Sequence, residues 1–258
     1  MPCFQSGYKF FEYDEIDSTN LEAKRYAASN SEPLQEIPVF IAKSQTGGRG
    51  RLGRSFFSPE ETGLYMSILL PINENLIETD LITPAAGVAV CRTIEELSKE
   101  KPKIKWVNDV YINKKKVCGI LAEGIIDSKL GKISKVVLGI GINLFEPKAG
   151  FPEEISNIAT SLFGKNVENP ESVKYQFVGK LLENLEKTLE AAQEKTVMEE
   201  YKERSLVLGE TVTVIDAKNQ FSAFVKDITK KGHLVVEYTK DGRLETKEIL
   251  SGEVSLRI

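Results

Sequence analysis

Three β-rich runs follow one another between Lys103 and Leu144: KIKWVNDVYI, VCGILAEGIID and ISKVVLGIGINL. Short turns at Asn113-Lys114-Lys115 and Ser128-Lys129-Leu130-Gly131 separate them. A parallel crossover needs about a dozen residues or more, so connections this short predict an antiparallel meander. Upstream, residues 38–43 (PVFIAK) and 63–71 (GLYMSILLP) also read as strands. Helices are expected elsewhere. LEAKRYAAS is a good helix former, and the short polar residues Asp17-Ser18-Thr19-Asn20 before it read as an N-cap. Within 81–99, Val88, Cys91, Ile94 and Leu97 recur near helical spacing. After Pro152 the pattern is helical again, and across 171–203 Val173, Phe177, Leu181, Leu185 and Leu189 form an apolar stripe.

The texture changes at Gly209. TVTVID, FSAFVKDI, HLVVEY, LETKEIL and EVSLRI are short strand-like runs with glycine turns, which suggests a small β-barrel. The expected organisation is an α+β chain with one large unit over 1–204 and a small barrel over 205–258. The stretch before Tyr8 leaves no room for a helix-turn-helix.

Composition narrows the chemistry. Cys3, Cys91 and Cys118 are odd in number and far apart, a poor disulfide framework. With His233 the single histidine, a zinc site is not expected, and a Ser–His–Asp or Cys–His mechanism would have to use that residue without any G-x-S-x-G elbow. The net charge of −4 argues against a general nucleic-acid binder. The first residues hold no signal-type apolar core, and no apolar run reaches the roughly 18 residues that span a bilayer, so a soluble cytoplasmic protein is expected.

Three stretches stand out. Gly47-Gly48-Arg49-Gly50-Arg51-Leu52-Gly53-Arg54 contains a formal G-x-G-x-x-G, but Ser58-Pro59 and Thr62-Gly63 follow where a dinucleotide-binding helix would start. What remains is a pliable backbone carrying guanidinium groups suited to phosphate or carboxylate oxygens. On its own it reads equally as an exposed turn. Lys105-Trp106-Val107-Asn108-Asp109 with Lys116 to Glu123 would bring a cation and a carboxylate to one cleft, or form a solvated hairpin. Gly139 and Gly141 in GIGIN mark close approach of another group, whether ligand or neighbouring chain.

In order and spacing, Ser18-Thr19-Asn20, GRGRLGR with Phe56-Phe57-Ser58-Pro59, KWVND, KKVCGILAE, GIGIN and GEVSLR together resemble the biotin–protein ligase family over essentially the whole chain. The resemblance implies a mixed sheet flanked by helices, of the type shared with class II aminoacyl-tRNA synthetases, followed by an SH3-like barrel. It implies an enzyme that makes biotinyl-5′-AMP from biotin and ATP with Mg²⁺ and passes biotin to a lysine of a biotin carboxyl carrier domain. By match, Ser18, Thr19, Asn20 and Gln45 look like contacts to the biotin rings, and Gly48, Arg49 and Gly119 like residues that close around them. Arg51 resembles the arginine that retains the adenylate, and Lys116 the lysine at the biotin carboxylate and α-phosphate. Arg54, Phe56, Asn108, Asp109, Asn143 and Arg257 fall on the nucleotide side. Asp109 also lies near the metal and could orient or deprotonate the acceptor lysine. Phe56 stands where the family often has tryptophan and is expected to pack near the adenine.

Biotin's carboxylate and the α-phosphate repel, so Arg49, Arg51 and Lys116 with Mg²⁺ are expected to offset their charge, and the loop to shield the mixed anhydride from water. Cys118 reads as a buried strand residue rather than an acyl carrier. Some family members carry an N-terminal DNA-binding domain, for which the stretch before Tyr8 leaves no room, so a DNA partner is not expected; the lack of a long apolar run gives no membrane partner either, and the family's frequent pairing through the catalytic sheet implies a dimer. The alternatives are a lipoate ligase or octanoyltransferase of the same superfamily, or a non-catalytic adenylate binder.

Overall fold

The computed structural model describes residues 7–30, 33–72, 78–129, 131–216, 219–250 and 252–256. A seven-stranded sheet runs in the order β1-β2-β3-β7-β6-β5-β4, formed by β1 (Tyr8–Ile16), β2 (Ile37–Gln45), β3 (Gly63–Pro71), β4 (Lys103–Lys105), β5 (Asp109–Ile112), β6 (Lys115–Asp127) and β7 (Lys132–Asn143). β1 and β2 are parallel, joined through α1 (Thr19–Ser29), and every other neighbouring pair is antiparallel. The expected meander is present with one correction. KIKWVNDVYI is not one strand: it folds back on itself, so β4 and β5 pair with Lys105 opposite Asp109.

Strand alternation sends the two faces to different cores. Leu64, Met66, Ile68 and Leu70 of β3 and Val136, Leu138, Ile140 and Ile142 of β7 pack toward α2 (Ile82–Leu97) and α4 (Pro170–Gln193). Leu69 and Val137, facing the other way, join Phe40 and Ala23 of α1. Val88, Cys91 and Ile94 on α2 and Phe177, Leu181, Leu185 and Leu189 on α4 are all fully buried, so both stripes read from the sequence are core. The helical run after 170 is interrupted at 194–196 before α5 (Val197–Glu203), and a single turn, α3 (Glu153–Ser156), precedes it.

β8 (Thr211–Asp216), β9 (Asn219–Ile228), β10 (Leu234–Lys240), β11 (Arg243–Ile249) and β12 (Glu253–Leu256) form a second, antiparallel sheet in the order β11-β10-β9-β8-β12. Among the described residues the end strands β11 and β12 do not pair. This sheet shares the core of the large one, and Trp106 Nε1 donates to Gly232 O at 2.8 Å across the junction. No helix among the described residues is long and apolar enough to cross a membrane.

Candidate functional site

The face of the large sheet that carries α1 is opened by glycines where β6 meets β7. Gly119 pairs with Gly141, and Leu121 with Gly139. A Cβ on Gly141 would stand 2.7 Å from the Phe56 ring, and one on Gly139 2.0 Å from Asn20 Oδ1. The glycines flagged by the sequence therefore admit two side chains of this same protein, Phe56 and Asn20, onto the sheet. The cavity above this floor is lined by Ser18, Thr19, Asn20, Gln45, Arg49, Arg51, Arg54, Phe56, Asn108, Asp109, Lys116 and Gly119, among others.

The arginine loop reaches the cavity as a tight hairpin. Arg49 bridges Ser55, Gly50 N donates to Arg54 O at 2.7 Å, and Leu52 and Gly53 take positive φ at the tip. Gly48 does not line the cavity. A Cβ there would meet Phe56 O at 2.4 Å and Ser58 Oγ at 2.5 Å, so its role in this arrangement is to let the loop close on its own base. Arg51 Nη1 donates to Asn108 Oδ1 at 3.2 Å, latching the hairpin to the β4–β5 turn.

That turn is pinned from several sides. Asn108 Nδ2 donates to Ile120 O at 2.8 Å, and Ile120 N donates back to Asn108 O at 3.0 Å. Tyr201 of α5 donates to Val107 O at 3.0 Å; burial pushes this phenol well up, so it stays a donor.

Lys116 owes its position to a β-bulge. Tyr111 pairs with Lys116 and Val110 with Cys118, which leaves Val117 unpaired. Val117 and Cys118 both enter the apolar core, and strict alternation would have sent Lys116 there too. The extra residue re-aims it to the cavity face, where Nζ lies 2.7 Å from Asp109 Oδ1. That oxygen is buried, and the ammonium approaches it without hydrogen-bond alignment.

At the far wall, the N-terminus of α1 is capped from outside. Ser18 occupies the cap position but makes no side-chain cap bond; instead Gln45 Oε1 accepts from Thr19 N at 2.9 Å. Asn143 stands apart, donating through Nδ2 to Thr160 O at 3.0 Å, and does not line the cavity. Arg257 and Cys3 lie outside the described residues. His233 pairs with Glu248 at 2.6 Å and lines a different groove.

The sequence reading missed Tyr65 among the lining residues and Ser67 behind them, and gave no individual role to Trp106, Leu121, Glu123 and Gly252, which lie within motifs it singled out. Ser67 carried a usable signal: a hydroxyl in the otherwise apolar GLYMSILLP must find a buried partner. Burial pushes the Cys118 thiol well above its usual range and Cys91 up to about 12, so neither is a thiolate nucleophile.

Residues 14–143 match the biotin/lipoate A/B protein ligase family, and residues 207–257 match the biotin protein ligase C-terminal domain. A solved structure of the biotin protein ligase from Aquifex aeolicus in complex with biotin and ATP aligns with a TM-score of 0.72 and 31% identity, over 98% of this chain and 99% of that one. The chain belongs to the biotin/lipoate A/B protein ligase family. Within this ligase family, the bifunctional ligase/repressor BirA of Bacillus subtilis is 38% identical over 156 residues, 60% of this chain and 46% of that protein. The alignment thus spans under half the length of the Bacillus relative. The biotin–[acetyl-CoA-carboxylase] ligase of Mycobacterium tuberculosis is 29% identical over 86% of this chain and 81% of its own length.

Proposed function

We propose that this ligase-family chain activates biotin with ATP as biotinyl-5′-AMP and transfers the biotinyl group to a lysine of a carrier domain. The observation that carries this reading is the meeting of Arg49, Arg51 and Lys116 in one cavity over a glycine floor. It is supported by full-length similarity to the Aquifex enzyme in complex with biotin and ATP.

The chemistry needs two anions held in contact. Arg49, Arg51 and Lys116 supply positive charge where the biotin carboxylate would approach the α-phosphate. Fixed donors of this kind, aimed at developing charge, commonly contribute about 3 kcal/mol each to the transition state. The carboxylate attacks phosphorus, pyrophosphate leaves, and a mixed anhydride results. The Arg51–Asn108 latch holds the loop over that anhydride and excludes water. The acceptor amine then attacks the acyl carbon and AMP leaves. No enzyme nucleophile is required, in keeping with the buried, protonated Cys91 and Cys118. Asp109 stands where it could orient the incoming amine.

Among the described residues no cluster of three or more His, Cys, Asp or Glu side chains could hold a metal by itself. The buried Asp109 Oδ1, without an aligned hydrogen bond, is a hard oxygen donor of the type Mg²⁺ takes when it arrives with a nucleotide, using one or two carboxylates beside the phosphates. Bound there, Mg²⁺ would offset phosphate charge. The same reading includes a biotin carboxyl carrier domain as acceptor, a cytoplasmic location and pairing through the catalytic sheet.

The test is incubation with ATP, Mg²⁺, biotin and a carrier domain. Pyrophosphate release and a biotinylated carrier are expected; the absence of both overturns the proposal. Competition by lipoate for the biotin site would instead favour the lipoate branch of the family.

A further inference from the structure

The turn that carries the Arg51 latch is held from the second sheet by Trp106. Trp106, Val107 and Asn108 connect β4 to β5, and Asn108 is the acceptor for Arg51. On its sheet side Asn108 has little freedom, because its Nδ2 and its carbonyl both bond the backbone of Ile120, at 2.8 and 3.0 Å. Its Oδ1 faces the arginine loop. The Arg51 bond is the longest of the three at 3.2 Å, so it is the first to weaken if the turn shifts.

Trp106 is buried, and its one side-chain donor, Nε1–H, gives to Gly232 O at 2.8 Å. A buried indole N–H needs an acceptor, because leaving it without one costs more than the bond contributes. The acceptor is itself fixed. Gly232 lies in the turn between β9 and β10, where Gly232 N donates to Thr229 O at 2.9 Å and Thr229 N to His233 O at 2.8 Å. Thr229 Oγ1 accepts from His233 N at 3.1 Å and from Lys231 N at 3.3 Å. Gly232 has a φ of +81°, and a Cβ there would lie 3.4 Å from Pro84 of α2, so this turn also rests on the large unit. From the other side Tyr201 of α5 holds the Val107 carbonyl. The latch turn is thus clamped between α5 and the second sheet, and it moves only by breaking a buried hydrogen bond. Lys231, Gly232 and His233 line the groove outside the cavity together with Arg51 and Asn108, so clamp and latch are neighbours.

We infer that Trp106 is a positioning residue: its indole N–H ties the latch acceptor Asn108 to the β9–β10 turn, so that the second sheet sets how long the site retains its adenylate. The inference rests on the ligase reading and deepens it. A tie of this kind differs from general packing in two ways. A change at its far end, at Thr229, reaches the latch, and substitutions at Trp106 and Asn108 do not add, because both act on one bond.

The experiment loads the full chain with biotin, ATP and Mg²⁺, removes free ligand, and follows escape of biotinyl-5′-AMP into solution beside the rate of pyrophosphate release. Thr229 lines neither the cavity nor the groove. Thr229→Val removes its two side-chain bonds, and should leave adenylate formation unchanged while escape becomes about threefold faster. Trp106→Phe removes the indole donor, and escape should become about tenfold faster. In Asn108→Ala, where the latch is already broken, neither substitution should speed escape further. Escape at the parental rate in Thr229→Val overturns the inference. So does a Trp106→Phe effect that persists undiminished in Asn108→Ala, which would assign it to the place of Trp106 in the cavity wall. If Trp106→Phe fails to fold, Thr229→Val with and without Asn108→Ala decides the matter. A parent protein that forms no adenylate overturns the ligase reading, and this inference with it.

Discussion

Lys116 Nζ rests 2.7 Å from Asp109 Oδ1, on neighbouring antiparallel strands, with roughly a quarter to a third of each side chain exposed. The pair is both structural and chemical. In Lys116→Met, biotin-dependent pyrophosphate release should fall about a hundredfold, near 3 kcal/mol of transition-state stabilisation. The melting temperature should fall as well, because a largely buried carboxylate loses its counter-charge. Adding Asp109→Asn to that variant should recover the melting temperature and not the rate. A double variant that recovers both would remove Lys116 from the chemistry.

Arg51 reaches Asn108 across the mouth of the cavity at 3.2 Å. Arg51→Gly should form the adenylate and lose it to solvent, so that lysines across the protein and on bystander proteins become biotinylated. Asn108→Ala breaks the same latch from the other side and should show a weaker version of the effect. Mass spectrometry of labelled lysines reads the outcome. Labelling confined to the carrier in Arg51→Gly would show that the latch does not retain the intermediate.

Gly141 lies under the Phe56 ring, and a methyl group there would approach the ring to 2.7 Å. Gly141→Ala should displace Phe56 and weaken nucleotide and biotin binding by about tenfold or more, as overpacking commonly costs 1–3 kcal/mol. Far-ultraviolet circular dichroism should be unchanged. Phe56→Leu in the same chain should recover part of the loss.

Much of this was legible in the residues, and what escaped did so for identifiable reasons. The α2 and α4 stripes follow from periodicity, since each buries one regular face, and the five short strands after Gly209 follow from their near-regular spacing with glycine turns. β1 was invisible: YKFFEYDEI buries no residue fully and pairs along one edge only, so it has no clean alternation. The fold-back inside KIKWVNDVYI was hidden because Trp106 and Val107 look like strand residues, yet they form the turn that Tyr201 and Gly232 hold in place. Motif order located the two cationic segments, but Ser67 and Glu123 act only through side-chain contacts between residues distant in sequence. Asn143 shows the converse, a motif residue whose contact in this arrangement is to backbone.

Glu200 of α5 joins Arg92 of α2 and Arg204, and Arg204 in turn pairs with Glu95 at 2.7 Å. Burial raises the carboxyl of Glu200, but the two guanidinium groups outweigh it and the net shift is downward. A carboxyl with a lowered folded value stabilises above its unfolded value and loses that contribution as pH falls through the folded one. Stability should therefore hold from neutrality to about pH 5 and decline below it. Glu200→Gln should lower stability at pH 7 by about 1–2 kcal/mol and flatten the acid limb. Chemical denaturation across pH measures both, and an unchanged acid limb would assign acid sensitivity to other carboxylates.

The unpaired Val117 makes β6 a strand of two parities. Just beyond it the even-numbered Cys118 and Ile120 are buried and the odd-numbered Gly119 and Leu121 face the cavity; before it the even-numbered Lys116 takes the cavity face. Losing one residue between Lys115 and Gly119 would preserve the hairpin and its pairing yet turn the ammonium of Lys116 into hydrocarbon. Tolerance to length change in this short stretch should accordingly be far lower than its place next to an exposed turn suggests, and a redesign that regularised the strand would gain ideal geometry at the expense of the cavity's lysine.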